Sequence, residues 1–170
     1  MAVLVRKLNK RRNADALRNS ANVDDLSADI VIQEFKTSGD TLSVWETAKE
    51  CIDLGILAIV LSSEHFDTMD FILLDKECAV STGLFVQPTK AETNPLAQAN
   101  EIHRDFCSLR LQDFRRLALV YKDAASDAAN VVRYTKTDLK RIIRDALKSG
   151  WVDSNKANDS MRNVIESLSG

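Results

Sequence analysis

Residues 41–61 read Thr41-Leu-Ser-Val-Trp-Glu-Thr-Ala-Lys-Glu-Cys-Ile-Asp-Leu-Gly-Ile-Leu-Ala-Ile-Val-Leu61. The first six residues alternate, with Leu42 and Val44 on one side, as a half-buried strand does. From Thr47 the spacing changes, and Ala48, Cys51, Ile52, Ile56, Ile59 and Val60 trace one face of a helix over 47–63. Thr47 and Glu50 stand three apart, the spacing of a capping box. Leu57, Ala58 and Leu61 make the second half apolar nearly all round, which marks a buried helix. Gly55 leaves an alternative in which the helix stops there and Ile56–Leu61 is a buried strand. A strand followed by a buried helix predicts an α+β domain, with helices packed on a small mixed or antiparallel sheet.

Upstream, Asp29-Ile-Val-Ile-Gln-Glu-Phe35 is rich in β-branched residues, and Thr37-Ser-Gly-Asp40 is a turn signal. Together with residues 41–46 they predict a hairpin over 29–46. Downstream, the apolar run Phe71-Ile-Leu-Leu74 predicts a central strand at 70–75, followed by a helical turn at 76–82. Leu84–Gln87 predicts another strand, stopped by Pro88. Helices are expected at 96–108, 111–126, 137–149 and 155–168. The third carries the stripe Leu139, Ile142, Ile143, Ala146 and Leu147 and ends at Gly150, after which Trp151 and Val152 return to the core. Residues 1–22, with Val5, Leu8 and Leu17 as sparse apolar points, read as a basic arm or weak helix ahead of one domain at 23–170.

Length, 170 residues, suits one domain with a real core. The 45% apolar and 28% charged fractions are those of a soluble globular chain. No apolar run approaches the ~20 residues of a membrane span. Arg6 and Lys7 interrupt the N-terminus before a signal-peptide core can form. Three widely spaced cysteines (Cys51, Cys78, Cys107) give no disulfide framework and suit a reducing, cytoplasmic setting.

Charge is segregated along the chain. Residues 1–20 carry six bases against one acid, residues 21–80 three bases against thirteen acids, and residues 131–170 eight bases against five acids. The acidic stretch predicts a docking face for a protein partner, with Glu64, Asp67, Asp70 and Asp75 as its candidate residues. It could equally be the intramolecular counterpart of the basic arm. A nucleic-acid alternative uses Arg11 and Arg12 of the arm and the row Lys136, Lys140, Arg144 and Lys148, which repeats every four residues along one helix side. The net charge of −2 runs against that alternative.

Two clusters carry a third reading, an enzyme or metal site. His65 sits among the loop carboxylates, and His103 with Cys107 stands four apart on an expected helix, a spacing that makes neighbours of an imidazole and a thiol. Neither provides a complete ligand set, no cofactor is implied, and no glycine-built phosphate loop or nucleophile elbow is present. The expectation is therefore a non-enzymatic interaction protein, of accessory or inhibitor type, working through charged surfaces.

Overall fold

The computed structural model describes residues 1–169. Among these, six strands form one sheet: β1 (Ala2–Leu8), β2 (Leu42–Ala48), β3 (Met69–Asp75), β4 (Val86–Pro88), β5 (His103–Phe106) and β6 (Val131–Tyr134). Eight α-helices accompany them: α1 (Arg11–Asn19), α2 (Ala28–Glu34), α3 (Ile52–Leu61), α4 (Lys76–Ser81), α5 (Ala99–Ile102), α6 (Leu111–Ser126), α7 (Lys136–Lys148) and α8 (Asp159–Ser169). The strand order is β4-β5-β2-β1-β3-β6, and every neighbouring pair is antiparallel. The fold is α+β, with a helical C-terminal half.

The sheet is covered on both faces, and each face has its own core. On one, Leu4, Leu8, Val44, Ile72 and Leu74 meet α1, α2, α4 and α6 through Leu17, Phe35, Ala79 and Tyr121. On the other, Val3, Val5, Trp45, Phe71 and Leu73 meet α3, α7 and α8 through Ile56, Leu57, Ile143 and Ile165. Burial on both faces turns the strand pattern from alternation into a continuous apolar run. That is why Phe71-Ile-Leu-Leu74 identifies β3, and why Val3-Leu4-Val5 belongs to β1.

The first eight residues are therefore no arm. β1 lies between β2 and β3, and Val3, Leu4, Val5 and Leu8 are all buried. The helix at 52–61 is a helix throughout, Gly55 included. Its start lies later than the spacing predicts, because Thr47 is a buried residue of β2 and caps nothing. The β3, α6 and α7 segments fall where the pattern places them.

Three expectations are corrected. Residues 28–34 form α2, so there is no hairpin at 29–46. The inward positions there are Val31, Glu34 and Phe35, a helical spacing, while Ile32 faces solvent at 68% exposure. The 37–40 turn is real, with Gly39 and Asp40 both at φ +58, but it joins a helix to β2. The helix expected at 96–108 is one turn, α5, followed directly by β5. Trp151 stays 43% exposed after Gly150 (φ +68) ends α7, although its carbonyl accepts from the Ala97 N–H at 2.8 Å and Val152 bridges to Leu96. The pattern gave no expectation of β6, whose four residues are too few to show a period.

Candidate functional site

Folding brings the acidic middle of the sequence against its basic ends. Asp70, with a side chain only 11% exposed, bridges Arg11 at 3.1 Å and Arg133 at 2.9 Å, tying α1 to β6 across β3. Asp67 pairs with Lys136 at 3.4 Å, Asp53 with Arg141 at 3.5 Å and Asp24 with Arg115 at 2.8 Å. The Asp67 carboxyl is held below its usual range by the Thr68 backbone N–H and then by Lys136. Asp75 is occupied as the N-cap of α4, accepting from the Cys78 N–H at 2.8 Å. Of the four acids expected to dock a partner, Glu64 alone is exposed with no ion pair among the described residues.

The basic row behaves differently. Leu139, Ile142, Ile143 and Ala146 bury one side of α7, so the rest of the helix is held rigidly outward. The helix starts with a reciprocal cap in which Thr135 and Asp138 bond each other's backbone N–H groups. Lys140, Arg144 and Lys148 are all exposed and meet no carboxylate among the described residues; Lys136, at the start of the row, is the one paired member. One helical turn, about 6 Å, separates successive members. Arg11 and Arg12 belong to α1, on the opposite face of the sheet from α7, so the arm and the row do not form one surface.

His65 is exposed in the loop before β3, and among the described residues no group of three metal-ligating side chains comes together. His103 and Cys107 part company because β5 is extended: four residues of strand span about 13 Å, against 6 Å on a helix. Cys107 donates to the Asp105 carbonyl, and burial, reinforced by the Asp105 charge, pushes its thiol up. What β5 does bring together is His103 and Asp105, two apart on one face. Thr89 Oγ1 shares a hydrogen bond with His103 Nδ1 at 2.8 Å, Asp105 Oδ1 lies 4.0 Å from Nε2, and the Trp45 ring tilts against the imidazole at 4.6 Å. The helical reading of 96–108 hid this grouping, since it needs a period of two.

The His103 group lies beside a seam where the sheet opens. β1 pairs with β2 only from Ala2 to Val5, although it continues beside β3 as far as Leu8. β2 likewise continues beside β5 down to Leu42. Between Arg6–Leu8 and Leu42–Val44 the ladder is missing. There the Arg6 guanidinium donates to the Ser43 carbonyl at 2.6 Å, standing in for a backbone partner. The end of β1 is pinned by the buried carboxylate of Glu34, which accepts from the N–H groups of Asn9 and Lys10 and from the Asn13 side chain. A crevice of about 340 Å³ results, lined among others by Arg6, Lys7, Ser43, Trp45, Ser62 and His103.

Comparison with known protein families, curated proteins and solved structures finds no match. Among the described residues, no helix is long and apolar enough to cross a membrane.

Proposed function

We propose that the protein is a non-enzymatic interaction protein that binds the acidic surface of a protein partner through the exposed side of α7. One observation carries this reading. Seven of the thirteen acids of the 21–80 stretch, the enclosed Asp70 among them, are held by ion pairs or hydrogen bonds within the molecule, whereas Lys140, Arg144 and Lys148 form an unpaired row on a rigid helix. Intramolecular pairing takes up the charge of those seven acids, while a pre-organised row keeps its charge available. The three unbridged cysteines favour a cytoplasmic setting for this role.

Nucleic acid is the second reading, favoured by the regular spacing of the row. It loses its second contact, because Arg11 is held by Asp70 and α1 sits on the other face. Three cations on a chain of net charge −2 make a poor backbone clamp.

Fluorescence anisotropy with a labelled poly-glutamate peptide and with a DNA duplex, across a salt series, separates the two. The expected result is salt-sensitive peptide binding that Lys140→Glu with Arg144→Glu abolishes, with weaker duplex binding. Duplex binding tighter than peptide binding and lost in the same double variant would install the second reading. Binding to neither, or binding that the double variant retains, would overturn both.

A further inference from the structure

The crevice between β1 and β2 opens where the ladder between the two strands stops, at Val5 and Trp45. A continuous ladder would pair one side of each strand through Leu8 and Leu42; here those sides face a cavity. Its floor is aromatic and buried: Trp45 and His103 are 7% and 8% exposed. Its rim is polar and accessible, with Lys7 from β1, Ser43 from β2 and Ser62 at the end of α3. Lys7 is exposed, lines the crevice and has no carboxylate partner among the described residues. Arg6 adds a second positive charge at the seam, anchored by Ser43.

We propose that this crevice binds a small ligand with an oxyanion head group, a phosphate or a carboxylate, attached to a compact planar body. Lys7, the Ser43 hydroxyl and the Arg6 charge receive the head group, while Ser62, whose hydroxyl donates to the Ala58 and Ile59 carbonyls at 3.0 and 3.1 Å, borders the rim. Trp45 and the His103 edge contact the body. Few ligand pockets work without this division between convergent polar groups and an apolar wall, and the volume lies at the small end of their range. An acid next to an anion site would oppose it. Neither Asp105, 4.0 Å from His103 Nε2, nor Glu34, whose buried carboxylate is taken up by the N–H groups of Asn9 and Lys10 and by the Asn13 side chain, lines the crevice. Lys140 and Arg144 do not line the crevice, and the site does not depend on the interaction proposed for α7.

The chain has two tryptophans, so Trp151→Phe leaves Trp45 as a reporter inside the crevice. In that background, phenyl phosphate and benzoate are titrated against Trp45 emission, with phenol as the uncharged control. Saturable change with either anion and none with phenol is expected, and the tighter of the two names the head group. Lys7→Glu and, separately, Ser62→Asp place a carboxylate on the rim at exposed positions and should each weaken binding at least about tenfold. No saturation by about 10 mM of either anion, a response to phenol equal to that of the anions, or affinity unchanged in both variants would overturn the site.

Discussion

The Tyr121 hydroxyl is fully buried on α6 beneath the sheet and has no hydrogen-bond partner among the described residues. Its ring meets Phe35 edge-on at 4.9 Å, so packing fixes the side chain where its polar end cannot be solvated. Burial pushes its pKa up to about 12, with the Arg6 charge pulling the other way. In the unfolded chain the phenol titrates near its ordinary value of about 10. The folded state therefore holds the proton more tightly, and its contribution to stability is intact below pH ~10 and lost as pH rises through about 12. The loss approaches about 2–3 kcal/mol. Tyr121→Phe removes an unsatisfied hydroxyl from the core and should be neutral or mildly stabilising at pH 7. Thermal melts of both proteins between pH 9 and 12 check this: the wild type should fall more steeply, and parallel curves would mean the hydroxyl is not buried as described.

Where α3 crosses the sheet, an element-scale fit depends on one missing side chain. A Cβ at Gly55 would stand 3.0 Å from Val5 Cγ2, 3.1 Å from Val5 Cβ and 3.3 Å from Thr47 Cγ2. Alanine is the better helix former by about 1 kcal/mol. Overpacking against a buried residue of a central strand costs about 1–3 kcal/mol, and Val5 cannot retreat because β2 and β3 flank its strand. Gly55→Ala should thus lower the urea midpoint, and Gly55→Ala with Val5→Ala should lose less than the sum of the two single changes. Strict additivity would mean that the helix does not touch β1 here. The same glycine shows how far local pattern reaches. It reads as a weak point in a helix, whereas its role is set by a strand fifty residues earlier that no helical period reveals. α2 is the converse case. Its Ile-Val-Ile run has strand propensity, yet Val31, Glu34 and Phe35 are the positions that find partners, and tertiary packing overrides the local preference. α6 and α7 are legible because each is long and carries one clear apolar stripe. The crevice and the His103 group were not, since both arise from pairing between strands distant in sequence.

Over the whole molecule, the charge segregation of the sequence becomes a set of cross-links, Asp70 with Arg11 and Arg133 being the most enclosed. The basic N-terminal stretch is legible as charge, but its place is decided by the seven residues of β1, six of whose ten cross-strand partners are more than sixty residues away. Burying Val3, Leu4, Val5 and Leu8 contributes about 6–12 kcal/mol at 1.5–3 kcal/mol for each side chain. That is comparable with the whole stability of a domain, about 5–15 kcal/mol. β1 also joins the two halves of the sheet, β4-β5-β2 and β3-β6, which share no other ladder. An arm could be removed with little effect; a central strand cannot. Deleting residues 1–8 should therefore abolish cooperative thermal unfolding and collapse the amide dispersion in an NMR spectrum. A truncated chain that still melts in one sharp transition would show that the sheet closes without β1, and with it would go the seam beside which the crevice opens.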